Sequence, residues 1–162
     1  MNQAKITPDM RGVTKEARAV AKQKHTSAAA IEVSDGTILT GKTSKLLGPC
    51  AAVLLNTLKY LGGIDDSIHL IAPGAITPIQ DLKVKYLGSK NPRLHTDEVL
   101  IALSASATSD ENASLALSQL PKLKGVQAHS TVMLSDVDVN MFKKLGVQLT
   151  CEPVWENQKS SR

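Results

Sequence analysis

Apolar residues along the chain fall into short runs bounded by turn residues and into longer stretches with helical spacing. Runs of the first kind are typical of buried strands, and stretches of the second kind are typical of helices. The predicted helices cover residues 14–24, 44–61, 77–88, 96–106, 110–120 and 136–145. The predicted strands cover residues 28–33, 37–40, 67–72, 131–134 and 147–151.

Residues with strong local preferences mark several of these boundaries. Asp35-Gly36 predicts a hairpin turn, because both central positions of a type I′ turn need positive φ. Thr14 and Thr96 are predicted helix N-caps, since a threonine hydroxyl can accept a bond from a free N–H of the first turn. Pro78 is predicted at the first position of its helix, where a missing N–H costs nothing.

The order of the elements predicts the fold class. Helices that alternate with strands favour an α/β fold in which helices cover both faces of a mixed sheet. We expect about five strands and a single domain over residues 1–155, followed by a polar tail at 156–162.

Composition argues against several classes of protein. The 162 residues carry a net charge of +4 and only 2% aromatic residues, whereas nucleic-acid binders usually combine a basic stripe with stacking aromatics. Residues 1–24 lack the apolar run of a signal peptide, and no stretch is apolar for long enough to span a bilayer. We therefore expect a cytoplasmic protein that binds neither nucleic acid nor a membrane.

The two cysteines, Cys50 and Cys151, lie far apart in the sequence and outside any C-x-x-C pair. Metal and redox sites need closer or more numerous ligands, so we predict no metal site and no disulfide. The two thiols are interpreted as small buried hydrophobic groups. No residue pattern identifies a cofactor.

Residues 36–43 match the phosphate-loop pattern G-x-x-x-x-G-K-T. The interior of the pattern, 37–40, is β-branched and apolar, which suits an extended strand better than a loop that wraps phosphates. We therefore predict a hairpin at this place rather than a nucleotide site. Lys42, shortly before the next helix, stays a candidate ligand for an anion at that helix start.

Residues 89–98 form a second candidate site because they concentrate charged and polar side chains in a loop. Thr96, Asp97 and Glu98 have a local explanation as the cap and first turn of a helix. The remaining polar residues have no such explanation, and loops are where binding groups concentrate. The candidate ligand-binding residues are Lys90, Asn91, Arg93 and His95.

The chemistry of this loop suggests two activities. Arg93 offers a planar fork suited to a carboxylate or phosphate, so we expect an anion pocket at the helix start with Arg93 as its clamp. His95, with Asp97 or Glu98, is a candidate pair for proton transfer, because imidazole exchanges a proton near neutral pH.

A third group places His129 and Ser130 shortly before Asp136 and Asp138. A Ser/His/Asp arrangement would need these groups to meet in space, and no nucleophile motif G-x-S-x-G is present. The favoured interpretation is a capping serine and a hydrogen-bonded histidine. His129 stays a candidate catalytic residue and Ser130 a candidate ligand-binding residue.

Five segments together resemble one known family: GKTS at 41–44, GSKNPRLHTDEVLIAL at 88–103, LPKLKG at 120–125, AHST at 128–131 and LTCEP at 149–153. They are similar to the C-terminal part of a bacterial family catalogued as domain of unknown function number eighteen forty-six. The block at 88–103 is long and unusual, which makes the resemblance specific. Cys50 departs from the small Ser or Ala that the family pattern implies, which weakens any catalytic role for it.

The resemblance implies a longer parent protein, with its N-terminal portions as partners of this domain. It also implies a three-layer α/β/α architecture of the cytidine-deaminase type. The deaminase zinc signature, H-x-E with P-C-x-x-C, is absent from the sequence. Some family members are labelled ATP-dependent peptidases, but the chain has neither a nucleophile motif nor H-E-x-x-H.

From these patterns we expect a small-molecule or anion-binding domain, or a structural domain, that is inactive outside its parent protein. The first alternative is an enzyme domain that acts on a phosphorylated or nucleotide-like small molecule. The second alternative is an oligomerisation module that forms a homo-oligomer.

Overall fold

The computed structural model describes residues 12–153. The helices are α1 (Gly12–Lys24), α2 (Pro49–Gly62), α3 (Pro73–Asp81), α4 (Thr96–Ser106), α5 (Glu111–Leu117) and α6 (Asp136–Leu145). The strands are β1 (Ala28–Glu32), β2 (Ile38–Lys42), β3 (Gln127–Ser130) and β4 (Gln148–Cys151). A π-helical turn, Leu82–Tyr86, extends α3, and a 3₁₀ turn, Leu120–Leu123, precedes β3. The predicted polar tail at 156–162 and the end of the predicted domain, 154–155, lie outside the described residues.

The described strands form one mixed sheet in the order β2-β1-β3-β4. Strand β1 pairs antiparallel with β2 and with β3, whereas β3 and β4 run parallel. The α/β class is therefore confirmed, with four strands within residues 12–153 where we expected about five.

The hairpin predicted between β1 and β2 forms, but Asp35 does not take the positive φ that a type I′ turn needs at both central positions, so the predicted turn type is wrong. Gly36 has a φ of +89°, which glycine adopts without strain. Asp35 Oδ2 accepts a hydrogen bond from the Tyr60 hydroxyl at 2.6 Å, and Asp35 Oδ1 accepts one from Thr37 N at 2.8 Å. These bonds, from Tyr60 above all, hold the pKa of the Asp35 carboxyl below its ordinary value.

Gly41 and Lys42 belong to β2, so residues 36–43 are a turn and strand rather than a phosphate loop. Gly41 lies directly against α2, and a Cβ at this position would be 2.3 Å from Val53 N. The missing side chain therefore lets the two backbones touch, which explains this glycine through packing instead of phosphate binding.

Helices cover both faces of the sheet. Ala29 and Ile31 of β1 face the main core, which α2, α4, α5 and α6 complete. Ala30 points the other way and packs with Val13 and Ala17 of α1 in a smaller cluster. Successive side chains of a strand alternate between faces, so β1 supplies both clusters. Within residues 12–153, no helix is both long and apolar enough to cross a bilayer.

The strand predicted at 67–72 is wrong, because these residues form turns and bends. Asp65 Oδ1 accepts hydrogen bonds from Ser67 N at 2.8 Å and from Ser67 Oγ at 2.7 Å, so a local turn directs the chain. Leu70 and Ile71 are nevertheless buried. The apolar pattern therefore signalled burial without strand pairing.

The strand predicted at 131–134 lies four residues earlier, as β3. Thr131 N donates to Ala28 O at 2.9 Å, and Thr131 Oγ1 accepts from Ala28 N at 3.0 Å. Because Ala28 is the first residue of β1, the residues after Thr131 have no strand beside them to pair with.

Three predicted helix starts also need correction. Thr14 is buried inside α1 and is not its N-cap. Helix α2 begins at Pro49 rather than at 44, because Ser44 Oγ accepts from the backbone N–H of residues 46 and 47 and closes a turn there. Helix α3 begins at Pro73, which suits a first position as well as Pro78 does, and Pro78 lies inside the helix.

Candidate functional site

The candidate site lies where the parallel strands β3 and β4 end. Cys151, the last residue of β4, pairs in register with Ser130, the last residue of β3. Burial raises the pKa of the Cys50 thiol well above its ordinary value, and the nearby charges of Asp138 and Cys151 add to the effect. Helix α6 follows β3 after a short connection, so its start lies near this edge of the sheet, which is where ligands bind in open α/β sheets.

Asp138 joins the start of α4 to the start of α6. Its Oδ1 accepts hydrogen bonds from Thr96 N at 2.9 Å and from Thr96 Oγ1 at 2.7 Å. Its Oδ2 lies 3.2 Å from His95 Nδ1. Burial opposes ionisation of Asp138, but the bonds from His95 and Thr96 outweigh burial and hold the pKa of the carboxyl below its ordinary value.

His95 is the N-cap residue of α4, and its side chain is 30% exposed. The hydrogen bond to Asp138 raises the pKa of the imidazole against the opposing effect of burial. No residue within 12–153 bonds its Nε2. We call this pair the His95–Asp138 dyad. A carboxylate that holds Nδ1 orients the ring, and Nε2 is left for proton exchange with a ligand.

Glu98, in the first turn of α4, connects the backbone of His95 to Lys83. Its Oε1 accepts from His95 N at 2.8 Å and from Lys83 Nζ at 2.9 Å, and the same ammonium donates to Arg93 O at 2.7 Å. Asp97 Oδ1 accepts from Glu98 N at 2.8 Å. The carboxylates of this turn are thus engaged by backbone N–H groups and by a buried lysine.

These contacts change where an anion could bind. The predicted N-cap Thr96 is wrong: His95 takes that position, and the Thr96 N–H is bonded to Asp138. The His95 N–H is bonded to Glu98. The N–H groups of His95, Thr96 and Glu98 at this helix start are therefore already paired with carboxylates of the chain. The side chains of Arg93 and His95, both partly exposed, offer further donors.

Arg93 and His95 lie on the same side of a short extended segment. Leu94, between them, is fully buried and bridges to Leu47 in parallel. Because side chains alternate along an extended chain, the residues on either side of Leu94 both point away from the core. Arg93 Nε donates to Ser44 O at 2.6 Å, and no described residue bonds the terminal nitrogens of the guanidinium.

Comparison with known proteins identifies the family. Residues 9–160 match the family model described as "Domain of unknown function DUF1846, C-terminal". The chain belongs to the DUF1846 family. The resemblance stated from the sequence is therefore confirmed. A UPF0371 protein of Corynebacterium aurimucosum is 52% identical over 160 residues, which are 99% of this chain and 32% of the relative.

A second relative has a similar identity and coverage. A UPF0371 protein of Streptococcus pyogenes serotype M5 is 49% identical over 162 residues, which are 100% of this chain and 33% of the relative. The chain thus spans about a third of the length of these relatives.

The DUF1846 domain does not bring every predicted site residue to the dyad. Lys90 is exposed, and Asn91 Oδ1 accepts from Arg93 N at 3.0 Å in a local turn. Lys42 is exposed at the end of β2. Ser130 is buried, and its hydroxyl donates to the Val132 carbonyl at 2.8 Å. The structure therefore places Arg93 and His95 on the same side of the segment through Leu94 and gives Asn91 and Ser130 local structural contacts.

His129 lies on the opposite face of the sheet from the main core. It pairs in register with Ala30, which faces α1. Its Nδ1 lies 2.7 Å from Thr150 Oγ1 and its Nε2 lies 3.0 Å from Glu152 Oε2. The side chain is 1% exposed, so both ring nitrogens serve buried contacts. This geometry favours a structural role for His129.

The cysteines are both free thiols. Burial raises the pKa of the Cys151 thiol as well as that of Cys50, so neither is a ready nucleophile. Within residues 12–153, no three His, Cys, Asp or Glu side chains are grouped so that they could hold a metal ion.

Two residues of the site were missed from the sequence, Asp138 and Lys83. Asp138 was considered only as a partner of His129, although it follows Ser135 in a pattern typical of a first helical turn. That pattern places it at a helix start but cannot say which second helix it faces. Lys83 carries no local signal of burial, because lysines usually stay exposed.

Proposed function

We propose that this DUF1846 domain is the ligand-binding C-terminal domain of a larger protein, inactive alone, and that it binds a small anion between Arg93 and His95. The proposal includes the three-layer α/β/α architecture of the cytidine-deaminase type, which helices on both faces of the sheet support. The cytoplasmic location expected from the sequence stays a prediction.

One observation carries the proposal. His95 is held through Nδ1 by the buried Asp138, its side chain is 30% exposed, and Arg93, two residues earlier on the same side of the extended segment, has a guanidinium whose terminal nitrogens no described residue bonds. A raised pKa favours the imidazolium form, which attracts an anion. Arginine adds two parallel N–H donors suited to a carboxylate or phosphate.

The nearby carboxylates do not oppose such a ligand strongly. Glu98 is paired with the Lys83 ammonium, and Asp138 receives three donors from His95 and Thr96. Hydrogen bonds and ion pairs offset the negative charge that would otherwise repel an anion. The net charge of the whole chain, +4, adds a weak attraction for an anion.

Thermal-shift titrations test the proposal with inorganic phosphate, a nucleoside monophosphate and a dicarboxylate as probes. A bound probe at a hundred times its dissociation constant stabilises the domain by about 2.7 kcal/mol. We expect Arg93→Ala to abolish that shift and to lower the free energy of unfolding by only about 0–1 kcal/mol, because an exposed arginine contributes little.

Lys122→Ala is the matched control, since Lys122 is an exposed cation on the 3₁₀ turn outside the site. This variant should keep the shift of the wild type. A probe that stabilises Arg93→Ala as much as the wild type would contradict the proposed site. A large loss of stability in Arg93→Ala with unchanged binding would make Arg93 a structural residue.

The dyad itself favours a second candidate function, an enzyme domain that acts on a phosphorylated or nucleotide-like molecule. An imidazole oriented by a carboxylate is suited to general base catalysis, with Nε2 as the acceptor of the proton. Turnover of such a substrate that His95→Gln abolishes, while probe binding is retained, would support catalysis over binding alone. Equal turnover by the wild type and by His95→Gln would reject a catalytic role for His95.

A further inference from the structure

Residues 82–87 expose apolar side chains and bury a charged one. We call this segment the apolar arm; it consists of the π-helical turn Leu82–Tyr86 and the next residue, Leu87. The exposed fractions are 49% for Leu82, 44% for Val84, 78% for Tyr86 and 70% for Leu87. Lys83, in the same segment, is only 8% exposed. This is the reverse of the usual distribution of side chains in a domain.

Bonds made by Lys83 hold the apolar arm in this orientation. Its ammonium donates to Arg93 O and Glu98 Oε1, at 2.7 Å and 2.9 Å. A buried ammonium needs such partners, because removing the charge from water is unfavourable unless it is compensated. Lys83 therefore anchors the inner side of the turn to the start of α4.

Backbone hydrogen bonds also hold the apolar arm. Leu87 N donates to Leu82 O at 3.0 Å, and Ser89 N donates to Lys83 O at 2.8 Å. The apolar side chains thus project from an ordered turn. Short π-helical turns are frequent at functional sites. Four large apolar groups are exposed within six residues, together with Lys85, which pairs with Asp81 at 3.8 Å. This concentration differs from the single exposed hydrophobic residues that every surface carries, and apolar patches mark interaction sites.

We propose that the apolar arm docks against the part of the DUF1846 protein that lies outside this chain. All of the chain matches these relatives, yet it accounts for only 32–33% of their length. A domain that forms a third of a protein shares an interface with the remainder, typically about 600–1,500 Å². The apolar arm concentrates four of the exposed large apolar side chains of residues 12–153 in six consecutive positions, which suits it to such an interface.

A full-length chimera tests this proposal. In it, the matched 160 residues of the Corynebacterium aurimucosum relative are replaced by this chain. A photoreactive benzoylphenylalanine at position 86 should form an intramolecular cross-link to a peptide outside the domain. The same probe at Lys144, which is exposed on α6, should form none. If the chimera does not fold, the two probes go to the aligned positions of the unmodified relative.

Amide hydrogen exchange supplies a second readout. We expect residues 82–88 to exchange at least tenfold more slowly in the chimera than in the isolated chain. The double variant Tyr86→Ser, Leu87→Ser should lower the melting temperature of the chimera and leave that of the isolated chain unchanged. Lys144→Ser should change neither.

Two results would overturn the proposal. Cross-links between two copies, with a concentration-dependent dimer of the isolated chain, would make the apolar arm a contact between identical domains. Absence of cross-links together with equal exchange in both proteins would show that nothing covers the arm. Either result leaves the anion site untouched, because the probe titrations depend on Arg93 and His95 and not on Tyr86.

Discussion

Two histidines of this domain bind a carboxylate, but in opposite surroundings. The His95 side chain is 30% exposed, bonds Asp138 through Nδ1 and has an Nε2 that no described residue bonds. The His129 side chain is 1% exposed and uses both ring nitrogens, on Thr150 and Glu152. The same pair of chemical groups is partly open to solvent in one place and joins strands in the other.

The difference teaches that a carboxylate beside a histidine does not by itself indicate a site. What distinguishes the two pairs is whether a second ring nitrogen is available at the surface. Glu152 also accepts from Arg18 Nε at 3.0 Å, so the His129 pair fastens α1 to the sheet. We therefore expect His129 to contribute to stability, and we propose ligand contact only for His95.

The largest expected effect is a loss of stability on breaking the contact between His129 and Glu152. We predict that His129→Ala lowers the free energy of unfolding by about 3 kcal/mol, because it opens a cavity and leaves Thr150 and Glu152 without their shared partner. Urea unfolding of the variant measures the loss. Glu152→Gln keeps an acceptor at the same place and should lose less. A loss below about 1 kcal/mol for His129→Ala would show that this pair is not structural.

A smaller loss of stability is expected on removing the carboxylate of Asp138. Asp138→Ala removes the acceptor of Thr96 N and Oγ1 and of His95, so we predict a loss of about 2 kcal/mol in the free energy of unfolding. Asp138→Asn retains an oxygen for Thr96 and should cost about half as much. Equal losses in the two variants, measured by urea unfolding, would mean that the bonds to Thr96 do not hold the start of α4.

The smallest effect is on the pH dependence of stability. Because the folded pKa of His95 is raised above 6.5, its stabilising contribution is complete below pH 6.5 and is lost as the pH rises through the raised value. The stability advantage of the wild type over His95→Gln should therefore be constant below pH 6.5 and shrink as the pH rises above it. Urea unfolding at several pH values measures it. A constant difference would contradict the ionic link to Asp138.

Local signals predicted much of the fold. The hairpin at Asp35-Gly36 was predicted correctly, although only Gly36 takes positive φ, and the helix predicted at 136–145 matches α6 because Ser135 and Gly146 bound it. The strand at 67–72 failed because an apolar run indicates burial and not pairing. The end of β3 depends on where β1 begins, which no local pattern in β3 records.

The candidate site was predictable only in part. Arg93 and His95 stood out because polar loop residues without a local role indicate binding. Their partners did not, because Asp138 lies 43 residues from His95 and meets it only after α4 and α6 pack. The pairing of His95 with Asp97 was the nearest alternative in sequence, and the structure gives Asp138 instead.

One NMR titration tests the central claim, that His95 is oriented by Asp138 and available to a ligand. The chain has four histidines, so the His95 ring signal is assigned by its loss in His95→Gln. We predict a His95 pKa above 6.5 that falls in Asp138→Asn, rises further with inorganic phosphate in the wild type, and does not respond to phosphate in Arg93→Ala. The ring signals of His129 should stay unchanged by phosphate. A His95 pKa that neither Asp138→Asn nor phosphate shifts would contradict the account, as would a response at His129 in its place.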